Sequence, residues 1–269
     1  MTDPLVLAGV LRDLRPLVIA LGLGAARLYG LLIVMPLFTR MGLTGLLRGG
    51  VALALAIPLL PLLTPLVAAA PPTGFTALAL LLVKELAIGL GIGVLFSVPF
   101  WAAEVAGEII DQQRGSQAAV VIDASDTNQN GITGTLLSLT LITLFLIAGG
   151  MRFMIDAVFD SYRIWGALDA APHFAPDSGD RLLGLLDQLL RGGFLLAAPL
   201  LIAMLAGEIA LGLISRFAPQ INVFDIALSV KGLLTVVGLP VYAVFLIAYL
   251  RDGLAPLASI TEQLRLFAD

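Results

Sequence analysis

The sequence predicts an all-α, polytopic membrane protein with broken helices, and three observations carry that prediction. Hydrophobic residues make up 59% of the 269 and charged residues only 13%, with a mean hydropathy of +1.02, whereas an ordinary soluble domain is about 45–50% apolar and 25% charged. The apolar residues gather into six stretches, each near or above the roughly 20 residues that let a helix cross a hydrocarbon core of about 30 Å. Proline and glycine punctuate these stretches, so the helices should be interrupted rather than straight. A soluble protein with an oversized core is excluded, because one domain of this length still leaves many residues facing water.

The stretches run from Pro16 to Phe38, Val51 to Ala70, Phe75 to Ala103, Ile132 to Gly150, Gly192 to Ser215 and Ile226 to Leu250. The first is longer than the apolar region of a signal peptide and reads as a retained helix. Pro58, Pro61 and Pro65 punctuate the second, and Pro71-Pro72-Thr73-Gly74 separates it from the third. A polar stretch broken at Pro172 to Gly179 precedes the fifth. A shorter helix from Arg152 to Trp165 reads as interfacial, with Tyr162 and Trp165 as amphipathic anchors. The chain reads as a single membrane domain over 1–269, ending in a short amphipathic tail at 251–269. Lys and Arg lean toward the side that holds both termini, which favours cytoplasmic termini without fixing the orientation.

Two regions depart from a simple bundle. Residues 104–131 are polar and rich in Gly, Gln and Asn, yet lie between two strongly apolar stretches, and Pro219-Gln220-Ile221-Asn222 interrupts another apolar run. Irregular backbone at such positions survives only where protein or a water-filled cavity satisfies it, which makes these two loops the first candidates for function. Among them Asp111, Asp123 and Asp126 read as members of a hydrogen-bonded loop more than as an ion cage.

Arg27, the adjacent Lys84 and Glu85, Glu208 and Lys231 are charges within apolar stretches. Such groups are costly at membrane depth and face a cavity or a partner, so they mark either a transport pathway or ion pairs between helices or subunits. Gly89 and Gly93 are four apart on one helix face and suit close helix packing. Glu85-Leu-Ala-Ile-Gly-Leu and Glu208-Ile-Ala-Leu-Gly-Leu echo each other, too briefly to establish a duplication. The single His173 lies in a Pro-flanked loop, and no nucleophile elbow, HExxH or Walker motif is present. Catalysis is not expected, and neither a cofactor nor a metal. The chain has no cysteine and no Lys/Arg run, which speaks against disulfides, nucleic acid and a polybasic lipid-binding tail.

The first polar loop carries Gly107-Glu-Ile-Ile-Asp-Gln-Gln-Arg-Gly, then Asp123-Ala-Ser-Asp and Gly134, and the second reads Arg216-Phe-Ala-Pro-Gln-Ile-Asn-Val-Phe, with Lys231 beyond. With Arg27, Pro36-Leu37-Phe38, Glu85, Gly89 and Gly93 in order, the chain resembles the T component of the bacterial type III secretion export apparatus (SctT), related to the flagellar export protein FliR. The Asp-Gln-Gln-Arg-Gly form is more similar to injectisome members. The resemblance implies a subunit of a helical export gate that joins R and S proteins, with a U protein around its base. It also implies that unfolded protein substrates thread the gate across the bacterial inner membrane, and that the assembly is displaced toward the periplasm.

Within that resemblance Asp111, Gln112, Gln113, Arg114 and Gly115 are expected to plug the closed channel, with Gly107, Gly115 and Gly131 as hinges. Arg27, Pro36, Glu85, Gly89, Gly93, Glu208, Arg216, Pro219, Gln220, Asn222 and Lys231 are expected to serve packing and assembly. The buried charges would then be paired by the assembly, leaving the isolated chain unstable. The alternative is a secondary transporter for a small solute, with Glu208 and Lys231 near a midplane site. An intramembrane enzyme lacks a candidate nucleophile and base.

Overall fold

The computed structural model describes residues 4–115, 131–217, 220 and 222–268, with side chains from Leu14 onward except at 223–225 and 258. Among the described residues the helices follow as α1 Pro4–Val34, α2 Pro36–Arg40, α3 Gly45–Ala56, α4 Leu60–Ala69, α5 Phe75–Arg114, α6 Ile132–Ile147, α7 Gly150–Ile164, α8 Ser178–Phe217, α9 Val223–Leu254 and α10 Ile260–Ala268. No strand occurs among them. Five helical stretches are long and apolar enough to cross a membrane, and a sixth arises if α6 and α7, broken at Gly149, count as one. The chain is an all-α, multi-pass membrane protein. It divides into two compact units: Met1–Ser97, Gly150–Leu182 and Leu257–Asp269 form the first, Val98–Gly149 and Leu183–Pro256 the second.

In the first unit α1 packs against α3 and α4, burying Ala20, Leu23, Leu28 and Leu31 with Ala52, Ala56, Leu59, Leu63 and Val67. The prolines explain how that wall bends. Met35 is extended (φ −71°, ψ 119°) because it precedes Pro36, which opens α2 where its missing N–H is harmless. Pro58 and Pro61 sit at the starts of the 3-10 turn Ile57–Leu59 and of α4 for the same reason. The second apolar stretch is therefore two helices joined by a tight turn.

Helices α1 and α5 meet backbone to backbone. A Cβ added at Gly89 would collide with the Arg27 carbonyl, one at Gly30 with the Leu86 carbonyl, and one at Gly93 would lie 2.9 Å from the Leu31 carbonyl. Gly91 lies on the far side of α5, where an added Cβ meets nothing within 4 Å. Gly89→Ala is thus expected to lower stability by about 1–3 kcal/mol through overpacking, whereas Gly91→Ala should raise it by about 0.5–1 kcal/mol through helix propensity. Thermal unfolding of the two variants in mild detergent checks this, and equal effects would remove the contact as the cause.

The second unit is built on the far half of α5. Helix α6 runs antiparallel to it, with Gly107 against Gly134 at one end and Phe100 edge-on to Phe145 (5.4 Å between centroids) at the other. Gly193 of α8 packs on Ala102 and Val105. Helices α8 and α9 are antiparallel, meeting where Gly207 faces Val230 and Leu234 and where Gly238 faces Leu200.

Two expectations are corrected here. Residues 104–114 are not loop: α5 continues through them, because Ala103, Ala106 and Ile110 line one buried face while Glu104, Glu108 and Asp111, spaced at helical intervals, share another. Tyr162 and Trp165 are not membrane-interface anchors. They are 8% and 5% exposed, held inside the first unit by the charges described next.

Candidate functional site

The first unit contains a fully buried charge cluster. Arg27 of α1 and Glu85 of α5 are both 0% exposed and form a bidentate pair, Nε to Oε2 at 2.6 Å and Nη2 to Oε1 at 3.0 Å. The remaining donors of the guanidinium reach the Ser161 hydroxyl (2.8 Å) and the Trp165 carbonyl (3.0 Å), and its face lies 3.6 Å from the Tyr162 ring centroid. Lys84 adds a second cation 3.0 Å from Glu85 and donates to the carbonyls of Gly166, Ala167 and Asp169 at 2.7, 3.0 and 3.1 Å. Two cations thus share one carboxylate. The surplus positive charge is balanced by backbone carbonyls just past the C-terminus of α7, where the helix dipole is negative. The cluster ties α1, α5, α7 and the turn after α7 together, and every charge in it is matched within the chain rather than by a neighbour. The indole of Trp165 in turn donates to the His173 carbonyl (2.8 Å), fixing the following loop.

The second unit carries the residues expected to form the plug and hinges. Gly131 is the N-cap of α6 and has no side chain, so the first N–H groups of α6 need acceptors from elsewhere. Helix α5 supplies them. Glu108 Oε1 accepts from the Gly131 N–H (2.9 Å), Asp111 Oδ2 accepts from the Thr133 N–H (2.9 Å), and Asp111 Oδ1 accepts from the Thr133 hydroxyl (2.7 Å) and from Arg114 Nη2 (2.9 Å). Asp111 is 1% exposed. Rather than opening a loop, it forms half of a carboxylate clasp that joins the end of α5 to the start of α6.

Gly107 and Gly131, expected as hinges, are points of close approach in this structure. A Cβ at Gly107 would strike the Gly134 backbone, and one at Gly131 the Asp111 carboxylate. Gly115 does require its glycine, since φ is +77° where it ends α5. Gln112 is exposed, and Gln113, Arg114 and Gly115 are half-buried.

Glu208 of α8 and Lys231 of α9 pair with each other, and Gln113 Nε2 approaches Glu208 Oε2 to 3.5 Å. Arg216 lies in the last turn of α8, Gln220 in an exposed turn and Asn222 at the N-cap of α9. Pro219, Asp123 and Asp126 lie outside the described residues. The echo between Glu85 and Glu208 is out of register, near the start of α5 but near the end of α8. Sequence reasoning missed Ser161, Glu108 and Thr133. Only the three-residue spacing of Glu108 and Asp111 signalled a shared face. Among the described residues no group of three or more His, Cys, Asp or Glu could hold a metal ion.

The family described as bacterial export proteins, family 1, matches residues 18–256. The chain is 36% identical over 220 residues to the Yop proteins translocation protein T of Yersinia pestis, covering 81% of this chain and 83% of that one. It is 31% identical over 220 residues to the surface presentation of antigens protein SpaR of Salmonella typhimurium, covering 81% of each. The flagellar biosynthetic protein FliR of Bacillus subtilis is 26% identical over 153 residues, 56% of this chain and 59% of that one.

Proposed function

Because this chain belongs to the bacterial export proteins, family 1, we propose that it is a subunit of a type III secretion export gate, helping to form the passage by which unfolded proteins cross the bacterial inner membrane. The observation that carries this reading is the extent of the family match, residues 18–256, supported by relatives named for translocation and secretion. The family is one of export components, not enzymes, and no relative supports a small-solute transporter.

Its partners are other components of the export apparatus, which we assign to the R, S and U proteins. The chemistry of α8 and α9 supports such neighbours: Leu205, Ile209, Leu213, Val237, Val241 and Phe245 are all more than half exposed, an apolar surface that suits lipid or protein but not water. Since the buried charges are matched within the chain, the need for partners rests on these faces rather than on unpaired ions. Arg216, Gln220 and Asn222 belong to this assembly surface by position. Asp111, Gln112, Gln113, Arg114 and Gly115 are the plug of the closed passage, with the clasp at Asp111 as its anchor.

Removing this chain from cells that carry the whole apparatus should abolish secretion while the remaining components are still made, and supplying it in trans should restore both secretion and co-purification with the R and S proteins. Secretion that continues without the chain would end this reading.

A further inference from the structure

Over residues 202–214 of α8 and 230–249 of α9, in the second unit, the outer surface is apolar except along one edge. Lys231 pairs with Glu208, whose side chain remains 36% exposed, and Gln113 lies beside them. One helical turn beyond Glu208 is Gly212, where an added Cβ would meet nothing within 4 Å, and almost one turn further is Ser215, whose hydroxyl turns back to the Gly212 carbonyl at 2.8 Å. Positions 208, 212 and 215 lie on one helical face. That face therefore presents a partly exposed carboxylate, a bare stretch of backbone and a hydroxyl, within a part of α8 (202–214) whose other exposed positions are leucine, isoleucine and alanine.

An ion pair with a partly exposed carboxylate, on helices apolar enough to cross a membrane, does not face hydrocarbon. Such groups turn to a protein interior or to a water-filled cavity. The pair is already matched by its own partner, so it needs no charge from a neighbouring subunit. We infer that the edge formed by Gln113, Glu208, Gly212, Ser215 and Lys231 is a wall of the aqueous export path, touched by the polypeptide in transit. Gln, Ser, Glu and Lys can exchange hydrogen bonds with the N–H and C=O groups of any unfolded chain, and the open space at Gly212 lets that backbone come close without selecting a sequence. This assignment rests on the export-gate reading and moves Glu208 and Lys231 from assembly contacts to path lining.

The chain has no cysteine, so a single introduced thiol reports cleanly. Gly212→Cys adds a side chain into open space and leaves Gln113, Glu208 and Lys231 intact. Val241→Cys is the control, on an exposed apolar position of α9. The probe is a charged, membrane-impermeant methanethiosulfonate reagent applied to the assembled gate after secretion has been verified for each variant. Because the reactive thiolate forms in water, Gly212→Cys should label roughly tenfold faster than Val241→Cys, and a secretion substrate stalled by a tightly folded domain should protect it. Absence of labelling in a secreting complex would overturn the inference, and so would labelling that a stalled substrate leaves unchanged. Either result would leave the export-gate reading standing, since that reading depends on the loss of secretion when the whole chain is removed.

Discussion

Glu85→Gln is expected to lower the stability and yield of folded protein sharply, and to do more damage than removal of Arg27. The asymmetry follows from the charge count. Among the described residues Glu85 is the carboxylate paired with both Arg27 and Lys84, so its loss leaves two buried cations without that counter-charge. Breaking a buried pair from one side costs about 3–5 kcal/mol, a large share of the roughly 5–15 kcal/mol that holds a typical protein together. Arg27→Met, by contrast, leaves Glu85 beside Lys84 and fills much of the vacated volume with an apolar side chain. It loses the Ser161 and Trp165 contacts and the stack on Tyr162, but strands no charge. Arg27→Lys keeps the charge and forfeits the bidentate fork, so it should fall between wild type and Glu85→Gln. Yield of monodisperse protein and thermal unfolding in mild detergent measure the ranking. A Glu85→Gln protein as stable as wild type would mean that the cluster does not hold α1, α5 and α7 together.

The membrane class and the positions of the apolar helices were legible because hydrophobicity over some twenty residues is a property of the sequence alone. Helix breaks at Pro36, Pro58 and Pro61 were legible for a similar reason, since a missing N–H acts locally. What escaped was everything decided by a distant partner. The run after Ala103 looked like loop because Glu104, Glu108, Asp111 and the glutamines are polar. It is helix because two of its carboxylates are taken up by α6, some twenty residues away in sequence. At Gly107 and Gly131, expected as hinges for their backbone freedom, the close approach also demands small size, which only the distant Gly134 and Asp111 reveal. Tyr162 and Trp165 looked like interface anchors because their polar ends seemed to need water. The His173 carbonyl replaces it at the Trp165 indole, whereas Tyr162 is held through its ring face, which lies against Arg27. The charges in the apolar helices were correctly flagged as exceptional, but nothing in the spacing of residues 27, 84 and 85 shows that they meet.

The clasp also changes how the proposed plug must be tested. Deleting Asp111 to Gly115 would remove the capping carboxylate together with the plug residues, so a leaking or unassembled gate would have two causes. The two roles separate by substitution. Asp111→Asn is nearly isosteric, but it presents an NH2 group where both carboxylate oxygens now accept hydrogen bonds from Thr133 and Arg114, so it sets donor against donor and loses the charge. A cost of about 2–4 kcal/mol is expected, read as a lower yield of assembled complex. Gln112→Ala with Gln113→Ala keeps the clasp and the end of α5 helical, so assembly should be near normal. If the segment from Gln112 fills the closed passage, the alanine pair removes hydrogen bonds made only in the closed state and shifts the gate toward open. Cells carrying it should then pass small ions or dyes across the inner membrane in the absence of secretion, while the assembled complex is recovered in full. A fully assembled alanine variant as tight as wild type would reject the plug and leave Asp111 with the capping of α6 as its whole role.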